Sequence, residues 1–206
     1  MAMAGIIDSG ICNLSSVLNA VRLLGFEAES TSEPDALSRY SHLILPGVGS
    51  FPKGMASLRA LGMDQAIVAA AAAGKPLLGV CLGMQLLADE GAEFGPTRGL
   101  ALIPGKVDLL QPSSAEFRLP HIGWNDVKLV GESRLFRDMP DPVPSFYFVH
   151  SYGFNAPAAA EVSALTDHGG AAVAAVEKDN VFGVQFHPEK SQRCGLALLK
   201  NFMTRC

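Results

Sequence analysis

Charge is scarce in this chain: 17% of its 206 residues are Asp, Glu, Lys or Arg, and no Lys/Arg run occurs. The net charge of -4 argues against a general affinity for nucleic acid, which needs a basic face to displace counterions. Cysteine pairs are missing as well. Cys12, Cys81, Cys194 and Cys206 form no C-x-x-C pair and no Cys/His spacing that closes a tetrahedral site, so no metal and no cofactor is expected. No apolar run nears the roughly 18 residues that span a bilayer, and the first residues lack a charged segment followed by a long apolar core. The expectation is a cytoplasmic protein whose thiols stay reduced. Linkers, repeats and low-complexity tracts are absent too, apart from Ala69 to Ala73, which reads as helix. Residues 1–206 therefore read as one domain with a sizeable core.

What the chain does have is apolar residues, 49% of the total, grouped in short runs between helical patterns. Gly5-Ile6-Ile7 reads as a first strand, and Asn13 as the cap of a helix through Val17, Leu18, Val21 and Leu24 that Gly25 ends. Ser32-Glu33-Pro34-Asp35 opens a helical turn, and His42 to Leu45 reads as the second strand. One long helix is expected from about Met55 to Ala73, stopped by Gly74. Lys75 to Val80 is the next strand and Met84 to Asp89 the next helix. This alternation predicts an α/β fold, with a mostly parallel central sheet covered by helices on both faces.

After about Leu100 the texture changes. Ile103 to Val107, Ile122 to Asn125 and Phe146 to Val149, separated by Pro/Gly-rich turns, predict strands that are partly antiparallel. Asp179-Asn180 turns a hairpin between Ala174–Glu177 and Phe182–Phe186. A last helix from Gln192 to Met203, capped by Ser191, turns Leu196, Leu199 and Phe202 inward.

Three stretches carry chemistry. In Gly79-Val80-Cys81-Leu82-Gly83, glycines two residues before and after the cysteine reproduce the G-x-S-x-G pattern, in which a strand runs into a helix through a sharp turn. A thiol there sits at a helix N-terminus, which favours thiolate; taken alone, a free cysteine in an apolar run is usually a small buried hydrophobe, and Cys81 reads as that too. In Phe186-His187-Pro188-Glu189, the proline holds the histidine extended, and Glu189 is close enough to fix its tautomer. That suits a general base, and also fits a strand-end histidine beside a surface glutamate. Pro46-Gly47-Val48-Gly49-Ser50 follows a strand and allows backbone amides to face a ligand as an oxyanion hole, or makes a plain turn; the G-x-G-x-x-G of a dinucleotide site is absent.

Together these stretches resemble the class I, triad-type glutamine amidotransferases, and within them the glutaminase subunits of imidazole glycerol phosphate synthase, which serve histidine biosynthesis. Further matching segments are Asp8-Ser9-Gly10 with Asn13-Leu14, Arg98 to Val107, Pro120 to Asn125, Tyr147 to Tyr152 and Lys190-Ser191-Gln192. The resemblance implies the three-layer α/β/α fold of that class. It makes Cys81 the nucleophile, His187 the base and acid, and Glu189 its orienting partner. It assigns the oxyanion hole to the amides of Val48, Gly49 and Leu82, and glutamine binding to Gly49, Gln85, Ser151 and Tyr152. It puts Trp124, Asn125, Tyr147 and Lys190 against a cyclase subunit of (β/α)8-barrel fold, in a heterodimer that takes up the ammonia. One segment departs from the family pattern: Cys12 precedes Asn13-Leu14, and Ser15 stands where an arginine is usual. Open alternatives are the same glutaminase chemistry serving another synthase, such as one aminating a surface sugar, a non-catalytic binding protein of this fold, and a cysteine hydrolase of other amides.

Overall fold

In the run His42-Leu43-Ile44-Leu45 successive side chains point to opposite faces of a strand, and both faces are covered. Leu43 and Leu45 join one apolar cluster, whereas Ile44 joins another. The computed structural model describes residues 2–10, 12–114, 116–156 and 161–206. The first half supplies strands β1 (Met3–Ile7), β2 (Glu27–Thr31), β3 (His42–Gly47) and β4 (Leu77–Cys81). The second half adds β5 (Glu90–Gly91), β6 (Thr97–Arg98), β7 (Lys106–Leu109), β8 (His121–Asp126) and β9 (Lys128–Leu129). It ends with β10 (Ser145–His150), β11 (Tyr152–Asn155), β12 (Val162–Asp167), β13 (Ala171–Lys178) and β14 (Val181–Val184).

The main sheet runs β2-β1-β3-β4-β14-β13-β12-β9. Its first five strands are parallel and the last three antiparallel, as expected for the two halves. Helices α1 (Leu14–Leu23) and α5 (Gln192–Arg205) cover one face, burying Val17, Val21, Leu198, Leu199 and Phe202 against Ile6, Ile44 and Val80. Helices α2 (Phe51–Ala60) and α3 (Met63–Ala72) cover the other, where Met55, Leu58, Met63 and Ile67 meet Ile7, Leu43, Leu45 and Leu77. The result is three layers, α/β/α. A short helix, α4 (Leu82–Leu86), follows β4 directly. Two smaller sheets, β10-β8 and β11-β7-β5-β6, complete the fold. No helix among the described residues is long and apolar enough to cross a membrane.

Several expectations are corrected. The long helix of residues 55–73 is two helices, α2 and α3, because Gly62 adopts φ +67 between them and turns the chain. Strand β2 went unread, since only Ala28 and Thr31 of its Glu-Ala-Glu-Ser-Thr face inward and it lies on the sheet's edge. The helix expected over Met84–Asp89 is α4, which starts two residues earlier and ends at Leu86. Leu102 and Ile103 do not enter a strand; both donate their amides to the Leu87 carbonyl and tie the following loop to α4, leaving β7 to begin at Lys106. Asn13 and Ser191 occupy cap positions but make no side-chain cap bond. The Ser191 hydroxyl instead donates to the His187 carbonyl (2.6 Å) and accepts from the Tyr147 amide (3.0 Å).

Candidate active site

Strands β3, β4 and β14 are adjacent and parallel, so their carboxyl ends open on one side of the sheet. Gly47 lies opposite Cys81, and Gln185 to His187 continue beyond β14. Cys81 has φ 55 and ψ -113, left-handed backbone that a non-glycine residue enters only under strain. Its flanking glycines make that turn possible. A Cβ on Gly79 would lie 2.6 Å from the Gly83 carbonyl oxygen, and one on Gly83 would lie 1.7 Å from that of Leu45. The G-x-C-x-G spacing is thus a steric requirement of folding α4 back across β3 and β4. Because α4 has only five residues, the turn matters more to the presentation of Cys81 than the helix dipole does.

His187 is extended, with φ -100 and ψ 96, as its following proline dictates. Its main-chain amide donates to the Tyr147 carbonyl at 2.9 Å, which fixes the strand end. Nδ1 lies 2.8 Å from Oε1 of Glu189, and both side chains are at least 95% buried. The carboxylate can only accept, so Nδ1 carries the hydrogen and Nε2 is left to face the thiol. Among the described residues Nε2 forms no hydrogen bond, and Cys81 is the neighbour that interacts with the ring besides Glu189. Burial alone would lower the imidazole's pKa. Interaction with Cys81 and with Glu189 outweighs it and holds His187 at about 9, so the ring is an imidazolium at neutral pH.

This has a consequence for stability. A histidine whose folded value is raised contributes stability that is complete below about pH 6.5 and is lost as pH rises through about 9. Denaturant unfolding at pH 6 and pH 9.5 is expected to show that loss in the native protein and its absence in His187→Asn. Parallel pH profiles for the two proteins would contradict it.

Cys81 and His187 line a cavity of about 370 Å³ together with Val48, Gly49, Leu82, Gln85, Ser151 and Tyr152. The expected nucleophile, base, oxyanion and glutamine-binding positions therefore share one pocket, and Glu189 stands directly behind the base. Gly49 has φ +101 at the rim, a backbone only glycine adopts without strain. The Leu82 amide opens α4 and so has no partner within the helix. Tyr152 differs from expectation in one respect, since its carbonyl already accepts from Gln85 Nε2 (2.9 Å) and from His150 Nδ1 (2.9 Å). A larger cavity of about 1030 Å³, near Phe117, Val127 and Leu165, includes neither Cys81 nor His187. Chemistry, not volume, singles out the smaller one.

The expected docking residues also cluster. Trp124 and Tyr147 are cross-strand neighbours with ring centroids 6.3 Å apart, and Lys190 Nζ lies 5.8 Å from the Tyr147 ring. Trp124 is 50% exposed, and Ile122 beside it on β8 is 58% exposed. Asn125 points elsewhere, into a network of buried histidines. Sequence reading missed Glu93 and His150 in the cavity wall, and Gln185, whose amide approaches Cys81 Sγ at 3.8 Å. The only sequence signal for Gln185 was its place two residues before His187 on an apolar strand.

The family model for class-I glutamine amidotransferases matches residues 5–206. The chain is 46% identical over 202 residues to "Imidazole glycerol phosphate synthase subunit HisH" of Symbiobacterium thermophilum, covering 98% of this chain and 93% of the relative. It is 43% identical over 201 residues to the protein of the same name from Methanothermobacter thermautotrophicus, covering 98% of each. Among solved structures, that of PurLQS from Thermotoga maritima superposes with a TM-score of 0.74 at 21% identity, covering 98% of this chain and 97% of the other, a likeness of fold.

Proposed function

The chain belongs to the class I glutamine amidotransferases, and from that premise we propose that it is the glutaminase subunit of an imidazole glycerol phosphate synthase. Cys81 is the nucleophile. Its thiolate, paired with the His187 imidazolium, attacks the carboxamide carbon of L-glutamine, and a C–S bond forms while the oxyanion takes hydrogen bonds from backbone amides. Leu82, Val48 and Gly49 are the candidate donors. His187 gives its Nε2 proton to the departing nitrogen as the C–N bond breaks, and ammonia leaves. Water, deprotonated by the now neutral imidazole, adds to the thioester and releases glutamate and the thiolate. Glu189 keeps the ring in the one tautomer that serves both steps. Gln85 and the Ser151–Tyr152 backbone are the candidate holders of the glutamine.

The observation that carries this reading is the joint placement of a strained Cys81 turn and the 2.8 Å His187–Glu189 pair on one small cavity. The relatives' shared name, and the Trp124, Tyr147 and Lys190 cluster, support a synthase partner. We take that partner to be a cyclase of (β/α)8-barrel fold. Free ammonia is mostly protonated at neutral pH and a poor nucleophile, so direct transfer to the partner preserves its reactivity.

Mixing the protein with the cyclase subunit tests the reading. Glutamine is expected to support formation of imidazole glycerol phosphate and AICAR, and the protein alone is expected to hydrolyse glutamine slowly, because the rim amides of Val48 and Gly49 align only on docking. Full glutaminase turnover without the partner contradicts the docking requirement; no glutamine-driven product contradicts the function.

A further inference from the structure

Two buried histidines, His121 on β8 and His150 on β10, have no part in the chemistry above, yet they form a line that runs from its substrate wall to Asn125. They face each other across the β8–β10 pair, with His121 Nδ1 3.0 Å from His150 Nε2. At one end His150 Nδ1 lies 2.9 Å from the Tyr152 carbonyl. At the other, Asn125 Nδ2 lies 3.1 Å from His121 Nε2.

The direction of every bond follows from chemistry. A carbonyl only accepts, so His150 Nδ1 must carry the hydrogen. Burial, with the charges of neighbouring histidines, pushes His150 down to about 4 and His121 to about 3, so both rings are neutral. A neutral ring with hydrogen on Nδ1 accepts at Nε2, and His121 must therefore donate from its own Nδ1. That leaves His121 Nε2 to accept from Asn125. The Asn125 amide is fixed independently: its oxygen takes the Asp126 amide (2.9 Å) and its nitrogen also donates to the Asp167 carbonyl (2.8 Å). One assignment satisfies all the partners.

The chain does not stop at Tyr152. The same carbonyl accepts from Gln85 Nε2, whose second hydrogen goes to Gln185 Oε1 at 3.0 Å, while Gln185 Nε2 approaches Cys81 Sγ. Both amide hydrogens of Gln85, a residue of the cavity wall, are thereby used, and its carbonyl oxygen is an acceptor, which suits the α-ammonium of an amino acid.

We propose that His121 and His150 are positioning residues for glutamine, forming a one-way hydrogen-bond chain from Asn125 to the Tyr152 carbonyl that holds the Gln85 amide in its binding orientation. The proposal rests on the glutaminase reading above. Neither histidine touches the reacting atoms; each acts through Tyr152 and Gln85.

The test uses the complex with the cyclase. His121 is stacked between Phe148 (4.7 Å) and His168 (4.1 Å), so His121→Phe fits the space but donates nothing to His150. His121→Asn puts an amide nitrogen where Nδ1 was. His121→Phe is expected to raise KM for glutamine about ten-fold, in line with a buried polar group left unpaired, with kcat little changed and ammonia-driven turnover at the native level. His121→Asn is expected to restore KM to within about three-fold of native, a recovery that follows from the returned hydrogen-bond donor. Equal KM in all three proteins, or an equal rise in both variants, overturns the proposal. So does a fall in kcat and ammonia-driven turnover together. A native complex that makes no product from glutamine refutes the underlying function and the proposal with it, and is distinguished by occurring without any substitution. A second measurement needs no variant: long-range proton–nitrogen correlation of the native protein is expected to show the Nδ1–H tautomer at both His121 and His150. An Nε2–H form at either breaks the chain and overturns the proposal.

Discussion

With Cys81→Ala in the complex, glutamine-driven product formation is expected to fall by ~10⁴-fold or more, the scale of loss when a covalent nucleophile is removed. The same complex supplied with an ammonium salt at alkaline pH is expected to run at the native rate, because the chemistry proposed for the partner needs only ammonia. The asymmetry is the informative part. A variant that merely misfolded or failed to dock would lose both activities, whereas removal of Sγ from the proposed nucleophile deletes only the proposed C–S bond. Alanine keeps the Cβ and the φ 55 backbone, so the turn and its strain persist. Equal losses with glutamine and ammonia would place the effect of the substitution outside glutamine chemistry.

Gly83→Ala is expected to destabilise the protein by at least ~3 kcal/mol, above the usual range for a single substitution. The new methyl would fall 1.7 Å from the Leu45 carbonyl oxygen, a backbone atom of β3 with no freedom to move aside. Either α4 lifts off the sheet or β3 shifts, and both displace Cys81. Gly74→Ala is the control. Gly74 ends α3 with φ +84 and has open space around its missing Cβ, so it incurs only backbone strain, ~1 kcal/mol. Denaturant unfolding of the two variants is expected to rank Gly83→Ala well below Gly74→Ala. The reverse order would mean that the glycine spacing around Cys81 is not set by close packing of α4 on β3.

Much of this was legible in the chain. The glycines around Cys81, the proline after His187 and the glutamate two residues on are local signals, because each constrains backbone within a few residues of itself. The hairpin at Asp179-Asn180 was legible for the same reason; Asp179 adopts φ 53 and β13 pairs with β14 across it. Non-local features were not. Nothing near Gly47 announces that it lies beside Cys81, and that juxtaposition depends on β3, β4 and β14 being neighbours in the sheet. The contact between His121 and His150 was not legible, since it spans 29 positions and is created by the β8–β10 register. The edge strand β2 was hidden by its polarity, and the break at Gly62 by the surrounding alanines.

The nucleophile assignment can be examined without the partner's reaction. A diazoketone analogue of glutamine, added to the complex and followed by mass spectrometry of its peptides, reports which thiol attacks an electrophile held in the glutamine position. Burial pushes the Cys206 thiol up to about 12, and burial together with Asp141 raises that of Cys194, so neither offers much thiolate at neutral pH. A single adduct on Cys81, slowed by added glutamine, is the predicted result. An adduct on Cys12, Cys194 or Cys206 in its place, or modification of Cys81 that glutamine does not slow, would contradict it.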